Sequence, residues 1–330
     1  MIISRTPHRI SFFGGGTDYP DYYLKHGGKV LGAAIDKYCY ITCRKLPPFF
    51  NHTHRIVYSK VEKVNQIDEI QHPSIRETLR YLNIKNGLEI HHDGDIPARS
   101  GMGSSSAFTV GLLKAVYALE GKVISKEEIT REAIYVEQEL IKEDVGSQDQ
   151  AFAAHGGFKL IEFSTSGDIL VNPVIIKPDR LKILEKSLLL VFTGISRMAA
   201  VAASDKIKNI PDNTDYLFKM KALVDDAYNV ITSPSKNLNE FGELLNETWN
   251  LKKKLSSEVS TPIIDELYDM VIKNGGIGGK LCGAGGGGFM LFFIAPEGRT
   301  KVIEALKNYL HVPFHFDHDG SKIIIYNNQS

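Results

Sequence analysis

The segment Gly101-Met102-Gly103-Ser104-Ser105-Ser106 constrains this chain more than any other, because the residues after it change period at once. From Ser104 onward, Phe108, Leu112, Leu113, Val116 and Leu119 recur at three- and four-residue spacing, the mark of an amphipathic helix. Gly121 stands where the C-cap of that helix belongs. Glycine removes the Cβ that would hold a ligand away from the backbone. A loop that opens directly into a helix also aims N–H groups and the positive end of the helix dipole at whatever lies in front of it. The segment therefore reads as an anion cradle, and three consecutive serines exceed what a single N-cap requires.

Two more segments carry an excess of glycine: Gly14-Gly15-Gly16-Thr17-Asp18 and Gly283-Ala284-Gly285-Gly286-Gly287-Gly288. Each taken alone also fits a tight turn. The P-loop spacing is absent, because position 274 is Asn and Gly279-Lys280 is followed by Leu281. Gly283, Gly285 and Gly288 satisfy GxGxxG, but the next residues, Phe289 to Ala295, read as a strand, whereas a dinucleotide fingerprint opens a helix. Protein-kinase signatures such as HRD and DFG are missing. Together the three segments point to a nucleotide.

Strands are expected at Ile10 to Phe13, Val30 to Ile35, Tyr38 to Cys43 and Leu88 to His92, followed by a loop from Asp93 to Ser100. Ser125 three residues before Glu128 forms a capping box, starting a second helix that runs through Leu140. Phe158 to Phe163 and Ile169 to Ile175 read as a strand pair, and Ser187 to Phe192 as an apolar strand. A long helical stretch is expected from Asp215 to about Asn274. The tail returns to strand at Lys280 to Leu281 and Gly288 to Ile294, turns helical over Arg299 to Leu310, and ends in strands at Val312 to Phe316 and Lys322 to Tyr326. Strands and helices mix without strict βαβ alternation, so two α+β domains are expected, residues 1–183 and 184–330.

The 330 residues are 43% hydrophobic, and 39 acidic side chains balance 39 basic ones. Such a chain has material for a large core and no global field to draw in nucleic acid or an anionic membrane, so the expected partner is a small molecule. Arg5 and Arg9 interrupt any apolar signal region, and no apolar run approaches the ~20 residues that span a bilayer. Cys39, Cys43 and Cys282 form neither a disulfide framework nor a zinc set. A cytoplasmic protein is expected. The histidines, including His52 with His54 and His91 with His92, lack the cysteine or acid that would complete a metal site.

Phosphoryl transfer needs a metal on the phosphate oxygens, cations over the developing charge and a carboxylate to orient the attacking hydroxyl. Mg²⁺ keeps several waters, so one hydroxyl and one carboxylate suffice. Ser105 with Glu137 or Glu139 supplies that pair; either glutamate equally fits a solvated helix face. Asp149, after Gly146-Ser147-Gln148, is the sharper acid, although its place in the first turn of a short helix also complements the dipole. Arg9 precedes the first glycine corner and matters only if the sheet carries it to the same cleft.

The three glycine-rich segments, in this order, resemble the motifs of the GHMP small-molecule kinases. Thr6-Pro7-His8-Arg9 through Thr17-Asp18-Tyr19 looks like the first motif, Pro97 to Ser106 like the proline-led ATP loop, and Gly278-Gly279-Lys280 through Gly288 like the third. Within that superfamily, the run from Arg5 to Pro20, with Gly146 to Gln150 and Thr193-Gly194-Ile195-Ser196-Arg197, is similar to the D-glycero-D-manno-heptose 7-phosphate kinases. The resemblance implies a ribosomal-S5-like N-terminal domain packed on a ferredoxin-like C-terminal domain, with ATP and Mg²⁺ bound between them. It implies phosphorylation of the anomeric hydroxyl of the heptose 7-phosphate, on the route to nucleotide-activated heptose for surface polysaccharide. Another acceptor, such as L-fucose or a mevalonate-type alcohol, and a non-catalytic binding protein remain the alternatives.

By the same resemblance, Pro97, Ser100, Gly101, Met102, Gly103, Ser104, Ser105 and Ser106 wrap the ATP phosphates, and Ser105 with Glu137 holds the metal. Asp149 faces the acceptor hydroxyl as general base and Arg9 stabilises the charge between donor and acceptor. Gly15, Gly16, Thr17 and Asp18 meet the sugar. Gly285 and Gly286 close the substrate site, and Arg197, Arg99 or Lys25 meets the distal phosphate. Galactokinases carry Glu-His where this chain has Gly15-Gly16, which argues against galactose. A homodimer is left open.

Overall fold

The computed structural model describes residues 1–98, 100–195 and 213–327. Its first sheet is built on two long antiparallel strands, β1 (Ile2–Phe13) and β2 (Gly28–Lys45), joined through the helix α1 (Pro20–His26). The segments expected as separate strands at 30–35 and 38–43 are one strand. A register shift between Pro7 and His8 absorbs the polar Asp36-Lys37 step, and the Asp36 N–H is satisfied by the His315 carbonyl, so pairing continues across it.

The length of β2 lets its two halves take different partners. Its C-terminal half pairs with β5 (Leu88–Gly94), beyond which lie β3 (His54–Val57) and β4 (Val61–Val64). Its N-terminal half pairs with β6 (Phe158–Phe163), which forms the expected hairpin with β7 (Ile169–Pro173). Helices α2 (Pro73–Tyr81), α3 (Ser104–Leu119), α4 (Lys126–Tyr135) and α5 (Gln148–His155) accompany this sheet. Ser125 and Glu128 form the capping box at the start of α4, and Gly121 has the left-handed φ of +71° that a helix end requires.

A second, fully antiparallel sheet has the order β11 (Leu310–His311), β8 (Leu188–Phe192), β10 (Phe289–Ile294), β9 (Gly276–Leu281). It is introduced by α6 (Pro178–Ser187). The expected helical stretch resolves into α7 (Thr214–Thr232), α8 (Asn239–Lys254) and α9 (Pro262–Lys273); Pro234 follows the end of the first, and Pro262, behind the Thr261 N-cap, opens the last. The expected helix at 299–310 is shorter, α10 (Arg299–Ala305), and residues 312–316 carry only an isolated bridge between Phe316 and Ile35 where a strand was expected. β12 (Lys322–Tyr326) returns to pair with β1 in the first sheet, and the expected boundary at residue 184 falls within α6.

The two sheets share one core. Phe12 stacks on Phe158 with ring centroids 5.3 Å apart, and Phe13 meets Phe241 edge-on at 5.0 Å, so the end of β1 is buried among α7, α8 and β10. Each fully buried phenylalanine contributes on the order of 1.5–3 kcal/mol. Their place at the last residues of β1 fixes the glycine corner that follows.

Candidate active site

Arg9 lies on β1, and its side chain is nearly closed off from solvent. Its guanidinium makes a bidentate pair with Asp149, Nε to Oδ1 at 2.7 Å and Nη2 to Oδ2 at 2.6 Å, while Nη1 donates to the Gly101 carbonyl at 2.8 Å. Asp149 stands in the first turn of α5 and keeps 23% of its side chain exposed. A Cβ added to Gly103 would lie 3.3 Å from both Arg9 Cγ and Asp149 Oδ2. The glycine-serine loop and the acid almost fifty residues later therefore occupy one crevice.

The loop takes its shape from two left-handed glycines, Gly101 at φ +81° and Gly103 at φ +73°, the second of which caps α3. A helix start of this kind directs first-turn N–H groups outward, toward a cavity of about 470 Å³ that Gly101, Gly103, Ser104, Ser105 and Ser106 line. The third glycine segment is the floor of the loop. A Cβ on Gly283 would sit 2.3 Å from Gly101 Cα, and one on Gly288 would sit 2.1 Å from the Ser100 carbonyl oxygen. Close backbone packing is the reason for those glycines. The segment joins β9 to β10 as a turn between antiparallel strands, so its GxGxxG spacing is not a dinucleotide fingerprint.

Behind the loop, α4 ends in one wide π turn, Val136–Leu140. That turn buries Glu137 completely and leaves Glu139 exposed. Glu137 Oε2 accepts from Ser106 Oγ at 2.8 Å and Gln150 Nε2 at 2.5 Å, while its Oε1 has no partner among the described residues. Burial pushes its carboxyl up to about 7, against the pull of the Ser106 hydroxyl. Ser105, one position earlier, donates from its hydroxyl to Glu143 Oε2 at 3.4 Å. The orphaned, buried Oε1 beside the loop suits an oxygen-seeking cation, so the donor set fits Mg²⁺.

On the acceptor side Asp18 is only 2% exposed. The Gly16 N–H donates to its Oδ1 at 2.9 Å, and the Ser147 N–H donates to its backbone carbonyl at 2.9 Å. Burial first, and the Asp149 charge second, raise its pKa above the usual carboxylate range. Gly15, Gly16 and Asp18 line the cavity, whereas Thr17 is turned inward to the carbonyls of Gly14 and Lys29. Ser100 and Met102 are buried within the loop and Pro97 is exposed at its start. Gly285 and Gly286 are packed on the backbone near Val259, while their neighbours Gly283 and Ala284 reach the cavity. Arg197 and Arg99 lie outside the described residues, and Lys25 is exposed on α1, away from the cavity lining.

Ser11, Glu143, Gln148, Lys252 and Lys280 are among the lining residues to which sequence reasoning gave no role. Lys252 on α8 donates its ammonium to the carbonyls of Leu281 and Gly283, and Lys280 on β9 donates to those of Ser11 and Phe12, tying the second sheet to the end of β1. Ser11 was detectable, because it follows Arg9 at the two-residue strand period and shares its face. Gln148 precedes Asp149 and Glu143 follows the π turn, but no local pattern directs either inward.

Residues 71–157 match the GHMP kinases N terminal domain and residues 223–312 match GHMP kinases C terminal, together more than half of the chain. The chain belongs to the GHMP kinases. As a member it is a small-molecule kinase that takes ATP as phosphate donor. This GHMP kinase is 31% identical over 316 residues to the D-glycero-alpha-D-manno-heptose 7-phosphate kinase of Campylobacter jejuni, covering 93% of each protein. It is 29% identical to the L-fucokinase/L-fucose-1-P guanylyltransferase of Bacteroides fragilis over 92% of its own length but 35% of that larger protein. A crystal structure described as a D-glycero-D-manno-heptose 1-phosphate kinase from Bacteroides thetaiotaomicron superposes with a TM-score of 0.80 at 26% identity, over 99% of this chain and all of the other. The two-domain GHMP fold expected from the motifs is thus the fold observed. Among the described residues, no helix is long and apolar enough to cross a membrane.

Proposed function

We propose that this GHMP kinase phosphorylates the anomeric hydroxyl of D-glycero-D-manno-heptose 7-phosphate from ATP, giving the 1,7-bisphosphate that feeds nucleotide-activated heptose synthesis. The observation that carries the chemistry is the Arg9–Asp149 pair directly under Gly103 of the phosphate loop. The 31% identity to a heptose 7-phosphate kinase across nearly the whole of both chains supports the acceptor.

In this reading the loop from Gly101 to Ser106 holds the triphosphate at the start of α3. Ser105 and Glu137 would hold Mg²⁺, which when bound would supply neutralisation of phosphate charge and polarisation of the transferred group. Asp149 accepts the proton of the attacking hydroxyl. Arg9 orients Asp149 through the bidentate pair, and its charge lies beside the path between donor and acceptor. Asp18 hydrogen-bonds the sugar.

The test is product NMR after incubation with ATP, Mg²⁺ and the heptose 7-phosphate. A new phosphate on C1 is expected, and the same spectrum fixes the anomer. Parallel incubations with the heptose 1-phosphate, L-fucose and mevalonate check the alternatives, of which L-fucose is favoured by the fucokinase match over 92% of this chain. Turnover confined to unphosphorylated acceptors refutes the 7-phosphate assignment.

A further inference from the structure

Two buried polar atoms in the cavity wall have no role in the chemistry above. Ser11 Oγ and Gln148 Oε1 belong to residues 8% and 7% exposed, both line the cavity, and neither has a hydrogen-bond partner among the described residues. Buried polar atoms are almost always paired, and leaving one unpaired costs about 1–3 kcal/mol. Two orphans on one cavity wall therefore call for a ligand that completes them.

Their surroundings specify that ligand. Each residue is fixed on its far side: the Ser11 carbonyl accepts from Lys280 Nζ, and the Gln148 side-chain amide hydrogen-bonds the Asp18 carboxylate. A Cβ on Gly15 would approach Ser11 Oγ at 3.7 Å and Gln148 Nε2 at 3.9 Å, so the two side chains flank the same bare patch of backbone. Gly15 does not have a left-handed φ, so a side chain there is sterically permitted by the backbone; its absence leaves the patch open. The set comprises a hydroxyl that both donates and accepts, an amide oxygen that accepts, and a carboxylate that accepts. Adjacent hydroxyls on a ring match it, each donating to one acceptor and one of them also receiving from the serine. An alkyl alcohol with a methyl branch would leave the orphans unpaired.

We propose that Ser11 and Gln148 form, with Asp18, a vicinal-diol subsite that selects polyhydroxylated acceptors. The inference rests on the sugar-kinase reading above and deepens it. A site built to hydrogen-bond a hydroxyl discriminates strongly against analogues lacking it, because its own buried groups are then left unpaired.

The experiment measures steady-state kinetics of wild type, Ser11→Ala and Gln148→Met with the heptose 7-phosphate and a series of its monodeoxy analogues. Each variant is expected to raise the sugar KM roughly tenfold with the ATP KM unchanged, the size of one lost hydrogen bond. For the deoxy analogue lacking the contacted hydroxyl, Ser11→Ala and wild type should perform alike. Ser11→Cys, which keeps the volume, covers a folding failure of the first variant, and thermal melts accompany each. An unchanged sugar KM, or a penalty equal on every analogue, overturns the subsite while leaving the kinase assignment intact. Turnover of L-fucose alone, with its KM raised in both variants, upholds the subsite and refutes the heptose reading. Turnover of mevalonate and no sugar overturns both.

Discussion

Gly146 controls where Asp18 sits, although it carries no side chain. Its φ is not left-handed, so alanine is allowed by the backbone, but an added Cβ would lie 1.9 Å from Asp18 Oδ2. Ordinary van der Waals contact begins at 3.4 Å, so the carboxylate must retreat by about 1.5 Å or the loop must move by as much. Overpacking of this kind costs about 1–3 kcal/mol of stability, and misplacing a binding group by an ångström lowers turnover on the order of 10²-fold. Gly146→Ala is therefore expected to lower kcat/KM for the acceptor by ~10² while the ATP KM holds. The decisive assay is a double-mutant cycle with Asp18→Ala. Once the carboxylate is gone, adding Gly146→Ala should cost little further in melting temperature or in acceptor kinetics, a coupling of ~1–3 kcal/mol. Strictly additive losses would refute the argument that Gly146 acts through Asp18.

Three more outcomes are expected. Asp149→Asn should lower kcat by ~10²–10⁴ with ATP binding retained by calorimetry, the range for losing a general base; unchanged turnover removes Asp149 from the mechanism. Ser105→Ala should shift the Mg²⁺ titration of activity to higher concentration, and an identical titration contradicts its role as ligand. Burial, reinforced by the neighbouring Arg9, lowers the His8 imidazole to about 3. Between about 3 and the unfolded value near 6.5 the unfolded chain binds the extra proton, so stability falls as pH drops through that window. His8→Asn should flatten that slope in urea melts of metal-free protein. Glu137, raised to about 7, acts in the opposite sense, and Glu137→Gln should steepen the loss on acidification.

The parts of this architecture with strong side-chain periodicity were legible in the sequence. The helix after Ser104, the capping box at Ser125 and the hairpin at 158–173 each declare themselves through apolar spacing or cap chemistry. β9 was legible only at its last two residues, because Gly276, Gly278 and Gly279 carry no side chains to alternate. The short strands β3 and β4 form a local hairpin whose turn, Tyr58-Ser59-Lys60, has no glycine or proline to mark it, and β3 joins the sheet only through the more distant β5. In the site, glycines and serines were visible as a local motif, and the family resemblance gave Asp149 and Arg9 their roles. Lys252 and Lys280 were not visible, because what brings each to the cavity is the docking of the second sheet on the first.

The position of β12 sets the order in which the protein can be completed on the ribosome. β1, which carries Arg9, lies between β2 and β12, yet residues 322–326 leave the exit tunnel only after every strand of the second sheet has been translated. Until then β1 has one bare edge, a template for any other extended chain nearby. A nascent kinase of this design is most exposed to mispairing beside the very strand that presents Arg9 to the cavity.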